Sequence, residues 1–184
     1  MLNAYRDITR STDLMSLVKA VTDYIGIPPS FISVRVLSET EWVSKRYRGN
    51  AAGAFNRITM TIDVREGYES SILHELIHSS LGHSNQSFFI PLVEGVVEAV
   101  TQEIAKRIKL VKPLSYTERV GFLKFFLLPY ANMTLQEFAQ KYAASPKKGP
   151  FLKREMQTAY WNAGGNNLPK ETKGVWNFFY KDLL

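Results

Sequence analysis

Apolar residues recur at helical spacing over residues 12–25, where Leu14, Leu17, Val18, Val21 and Ile25 follow a Ser/Thr/Asp start. That pattern predicts a helix. "GIPPS" breaks it, and "FISVRVL" then alternates and is rich in β-branched residues, which predicts a strand. "SETEWVSKRYRGNAAG" is a polar connection with no clear period. In "AFNRITMTIDV", Ile58, Met60 and Ile62 alternate with Thr59, Thr61 and Asp63, predicting a half-buried strand with a polar outer face. "REGYES" turns the chain into "SILHELIHSSLG", whose Ile72, Leu73, Leu76, Ile77 and Leu81 are again spaced for a helix. Gly82 is its natural stop. "IPLVEGVVEAVTQEIAKRIKL" predicts a long helix starting near Pro91, and helical spacing continues almost to the end. The expected class is α+β: a small twisted sheet packed on the helix of "SILHELIHSSLG", with a mostly helical C-terminal half. A single domain over 1–184 is expected, with a core at about 12–110 and a helical extension at about 111–184.

Composition narrows this picture. Hydrophobic residues make up 45% and charged residues 22% of 184 positions, as in globular proteins. There is no cysteine, which removes disulfides and thiolate chemistry and leaves only nitrogen and oxygen ligands for any metal. The N-terminal stretch carries charges where a signal peptide needs an apolar run, and "VGFLKFFLLPYA" is interrupted by Lys124 and Pro129. A cytoplasmic protein that does not cross a membrane is expected. The net charge of +6 is scattered. Its densest cluster, Lys147, Lys148, Lys153 and Arg154, surrounds a Pro/Gly stretch that reads as a solvated loop. Nucleic acid is an allowed partner, but no binding motif supports it.

The histidines change the picture most. His74, His78 and His83 are the only three, and all lie within ten positions. Residues four apart on a helix stand one above the other, so His74 and His78 can close on one metal ion. Glu75 lies beside them, placed to act as a general base on a metal-activated water. This is H-E-x-x-H, whose chemistry is zinc-assisted hydrolysis.

A catalytic zinc needs a third protein ligand. His83 reaches the metal only if the chain bends back after Gly82, and its spacing departs from H-E-x-x-H-x-x-G-x-x-H. Between residues 79 and 110 the acidic residues are Glu94, Glu98 and Glu103. Glu94 and Glu98 share a helix face, whereas Glu103 lies roughly half a turn away from Glu94. Stacked glutamates on the apolar face of "PLVEGVVEAV" are costly unless compensated, and a metal with its histidines would compensate them. Gly95, beside Glu94, would let the two helices approach closely.

"HELIH" followed by "VEGVVEAVT" resembles the gluzincin branch of zinc metallopeptidases, in which the third ligand is a glutamate on the next helix. "HELIHSSLGHS" is also similar to compact intracellular peptidases of the ImmA/IrrE kind and to the metallopeptidase part of ArdC-like antirestriction proteins. The likeness covers roughly residues 50–103, with "AGAFNRITMTID" in the place of the edge strand. It implies a zincin-like fold and one Zn²⁺ per chain, with His74, His78 and Glu94 as ligands and Glu75 as base. It also implies that Glu98 hydrogen-bonds a ligand imidazole. The residue that makes this hydrogen bond in the family is commonly aspartate, so a shifted frame, Glu98 as ligand with Gln102 behind it, stays open. The implied reaction is peptide-bond hydrolysis, with an extended protein or peptide substrate adding to the polar edge of "NRITMTID". Related enzymes use a distant histidine to stabilise the oxyanion. Here Tyr160, then Tyr130, are the candidates. The competing expectation is a regulatory zinc-binding protein on the same scaffold, engaging DNA or an acidic protein.

Overall fold

The computed structural model describes residues 11–47, 51–82, 90–110 and 115–179. Helix α1 (Ser11–Ile25) ends at Gly26, and strand β1 (Ser33–Leu37) follows. Helix α2 (Glu39–Ser44) comes next, then β2 (Gly53–Asn56), β3 (Thr61–Arg65), a 3-10 turn (Glu69–Ser71) and α3 (Ile72–Leu81). Helix α4 (Ile90–Arg107) precedes α5 (Thr117–Phe122), which runs through a π-helical stretch (Leu123–Leu127) into α6 (Leu128–Ala131). Helices α7 (Leu135–Ala144), α8 (Lys148–Asn162) and α9 (Lys170–Phe179) complete the described chain. The class is α+β and mostly helical. No helix among the described residues is long and apolar enough to cross a membrane.

The three strands form one mixed sheet in the order β1-β3-β2, with β1 parallel and β2 antiparallel to β3. The single strand expected over 54–64 is therefore a hairpin. The Asn56 side chain makes the turn, its Oδ1 accepting from the backbone N–H of Ile58 at 3.0 Å and Thr59 at 3.2 Å. Met60 leaves the turn with φ 52°, and Ile58 is 96% exposed instead of facing a core. Thr61 and Asp63, expected on a polar outer face, are buried.

One further element went unpredicted, and one further expectation fails. The polar connection after β1 contains α2, whose first turn is closed by a capping box between Ser38 and Glu41. The basic "PKKGPFLKRE" stretch is not a solvated loop, because α8 begins at Lys148. Half-buried Lys148 donates from Nζ to the carbonyls of Tyr142 (2.6 Å) and Ala143, at the end of α7 where cations are favoured.

The chain divides into two compact units, Met1–Leu81 with Glu103–Lys112, and Gly82–Gln102 with Pro113–Leu184. Helix α4 contributes residues to both. In the first unit α3 packs against α1 and the sheet, and Val21, Ile25, Ile62, Val64, Leu73 and Leu76 are fully or almost fully buried. The hydroxyl of Ser80 donates to the Ile27 carbonyl at 2.7 Å, fixing α3 to the chain that leaves α1. The second unit has an aromatic core that includes Phe122, Phe138, Tyr142, Phe151, Tyr160 and Trp176.

Candidate metal centre

Helix α3 is buried almost all round, yet it carries three ionisable side chains at buried positions, His74, Glu75 and His78. Burying such groups costs free energy unless they find partners. Ile72, Leu73, Leu76, Ile77 and Leu81, all fully buried, hold the helix in place, so its geometry fixes where these three point. The one-turn spacing brings the histidines together: their Nε2 atoms are 3.1 Å apart and the rings meet edge to face. That is a hydrogen-bond distance, with one imidazole donating and the other accepting. It also suits two ligands of one ion, since tetrahedral zinc with bonds of about 2.0–2.1 Å sets its ligand atoms roughly 3.3 Å apart.

One ligand atom each from His74, His78 and half-buried Glu94 lie within 4.8 Å of one another. This set could hold a metal ion. Two imidazoles and one carboxylate are a donor set typical of catalytic zinc. Glu98, one turn after Glu94, is fully buried, and its Oε1 accepts from Gln102 Nε2 at 3.1 Å and the Ser115 N–H at 3.3 Å. Glu103 pairs with Arg107 across one turn at 3.6 Å. His83 lies outside the described residues.

Glu75 is placed by a neighbour that spacing could not reveal. Strand β2 passes so close that a Cβ on Gly53 would stand 2.9 Å from both Cγ and Oε1 of Glu75. Only glycine leaves that room. Gly95 serves a different approach from the one expected: a Cβ there would meet Arg119 of α5, at 2.9 Å from its Cβ and 3.1 Å from its carbonyl oxygen.

A polar cluster is centred on Asp63, a residue of the central strand β3 with no exposed surface. Arg35 donates to both carboxylate oxygens, at 2.7 and 2.9 Å, while Lys45 (2.8 Å) and the Tyr47 hydroxyl (2.6 Å) both donate to Oδ2. Burial alone would raise the Asp63 carboxyl, but these donors outweigh it and hold the group below the usual carboxylate range. The Tyr47 phenol is pushed up to about 12 by burial first, then by its bond to Asp63, with the negative charge of Glu75 adding to the shift. Tyr47, Gly53 and Asp63 were thus missed by sequence reasoning.

The expected substrate edge also needs correction. Strand β3 is central and pairs on both sides, so it cannot accept another strand, and the sheet edge beside Glu75 belongs to β2. Tyr160 is buried against Trp161 and Trp176, and its hydroxyl lies 3.3 Å from Asn166 Oδ1. Tyr130 is exposed, and its carbonyl accepts from Asn162 at 2.8 Å.

Comparison of the chain with protein-family models, curated proteins and solved structures found no match. The chemistry of the site must therefore be read from its own residues.

Proposed function

We propose that this protein is a zinc-dependent metallopeptidase with a zincin-like fold, related to the gluzincins. The observation that carries the reading is the grouping of His74, His78 and Glu94 donor atoms beside Glu75 on a buried helix. Zinc, when bound, supplies Lewis-acid polarisation of a carbonyl and acidifies water. His74, His78 and Glu94 would hold it, and Glu98 would orient an imidazole.

Glu75 accepts a proton from the attacking water and returns it to the leaving amine. Its carboxylate is confined against Gly53, which limits the positions that it can occupy. An extended peptide adding to the β2 edge would run past this carboxylate. Backbone pairing of that kind favours an endopeptidase.

The experiment is cleavage of unfolded casein by the purified protein, with and without chelator, beside Glu75→Gln. The parent should cleave and be stopped by chelator. The variant should keep its fold and zinc but lose about 10³-fold or more in rate, the combined scale of losing the base and the attack it activates. Equal rates would remove Glu75 from the mechanism. A zinc-loaded parent with no activity would favour the regulatory alternative.

A further inference from the structure

The second unit carries an open groove whose two walls repeat one sequence pattern. One wall is the run from α5 into the π-helical stretch, which presents Glu118, Gly121, Phe122 and Phe125. The other is α9, which presents Glu171, Gly174, Val175 and Phe178. Both read E-x-x-G-(F/V)-x-x-F, the i, i+3, i+4, i+7 spacing of a single helix face.

Phe125 and Phe178 are 74% and 68% exposed, so the apolar end of each wall stands in water. Grouped exposed apolar side chains, rimmed by polar ones, mark contact surfaces. Gly121 and Gly174 lie inside helices, where alanine is the better helix former. At Gly53 and Gly95 a Cβ would strike the chain's own atoms, but at Gly121 and Gly174 it would meet nothing within 4 Å. No neighbour among the described residues explains these two glycines, and they leave bare helix backbone along the groove. Glu118 and Glu171 are exposed and make no ion pair or hydrogen bond among the described residues. Arg119 instead stacks on the Tyr116 ring at 4.9 Å, and Lys173 donates to the Asn166 carbonyl at 2.6 Å.

We infer that this groove docks a basic amphipathic segment of a partner protein. Apolar side chains of the segment pack on the phenylalanine rings, and the two glycines let its backbone approach closely. Its Lys or Arg side chains meet Glu118 and Glu171, one carboxylate on each wall. The same carboxylates disfavour nucleic acid and anionic lipid, whose charge they share. None of the proposed zinc ligands lines the groove, so docking does not depend on hydrolysis.

A Leu/Lys amphipathic peptide of about four helical turns and its Leu/Glu counterpart are suitable probes. Each is titrated into the full chain while the amide signals of residues 121 and 174 are followed by NMR. The Leu/Lys peptide should shift both signals saturably, and the Leu/Glu peptide should leave them in place. Gly121→Ala/Gly174→Ala should bind about tenfold more weakly, as extra methyls do in a packed contact. The same variant should melt about 2–4 °C higher per glycine, since its own helices gain. Glu118→Gln/Glu171→Gln should lose about threefold to tenfold in affinity, the scale of two exposed ion pairs, together with most of the salt dependence. Equal response to the two peptides, shifts that avoid both glycines, or undiminished binding by either variant would overturn the inference. Two other occupants would overturn it as well. Dilution of the peptide-free chain that moves the same signals would assign the groove to a second copy. Nuclear Overhauser contacts from the methyls of Leu183 or Leu184 to the Phe125 ring would assign it to the chain's own end.

Discussion

The Asp63 cluster and the α3 histidine pair are both buried polar groups in the first unit, and they differ in what they contain. Around Asp63 there is one acceptor group and three donors, two of them cations. Such a cluster satisfies itself, and it joins β1, β3 and the segment after α2. At His74 and His78 two imidazoles face each other across one turn of α3, with Glu94 and Glu75 bringing carboxylates. Acceptors dominate that collection, and a cation is what would balance it. Buried polarity alone therefore does not identify a site. The sign of what is gathered does.

Several substitutions can break this contrast. The largest effect should come from the glutamates. Glu94→Ala should release most of the zinc, whereas Glu98→Ala should leave it bound but weakened by about 10- to 100-fold, as for a lost outer hydrogen bond. Metal titration of both variants checks this, and zinc loss confined to Glu98→Ala would move the ligand one turn along α4.

Asp63→Asn should leave zinc content unchanged and lower stability. Breaking a fully buried ion pair costs about 3–5 kcal/mol. Because Arg35 and Lys45 are 46% and 32% exposed and can rehydrate, about 2 kcal/mol is expected in urea unfolding. The pH dependence has a fixed sign. The folded Asp63 carboxyl sits below its usual value, so its contribution is present above about pH 4 and is lost as pH falls through the folded value. The variant should therefore lose part of the parent's acid-induced destabilisation. An unchanged acid limb would show that the cluster is not what holds β1, β3 and residue 47 together.

The smallest change should be the most local. Gly53→Ala would push its new methyl against the Glu75 carboxylate, from a 2.9 Å starting separation. Displacing a reacting group by about 1 Å can cost up to about 100-fold, so a rate loss of about tenfold with unaltered zinc content is expected. A loss of zinc instead would mean that β2 supports the ligands rather than the base.

The elements legible in the sequence are those whose signal is local. Helix α1, the α3 motif with its Gly82 stop, and α4 follow from spacing and end residues, and α3 ends at a Gly82 with φ 67°. The hairpin was hidden because alternation continues through its turn: only the Asn56 side chain distinguishes Ile58 on a turn from Ile58 on a strand. Helix α2 did carry a readable cue, Ser38 followed three residues later by Glu41. At the site, His74, Glu75 and His78 were visible as a motif on one helix, whereas Gly53 meets Glu75 from a strand 22 positions earlier in the sequence. The Asp63 donors come from 28, 18 and 16 positions away, a separation that no local pattern encodes.

The central claim is that His74, His78 and Glu94 form a zinc site, and the most direct measurement is zinc content and affinity of the purified chain beside the His74→Ala/His78→Ala double variant. The parent should hold close to one zinc per chain, and the folded double variant almost none, because one remaining carboxylate cannot hold the ion tightly. Full zinc retention by the double variant, or a folded parent that binds no zinc at all, would contradict the account.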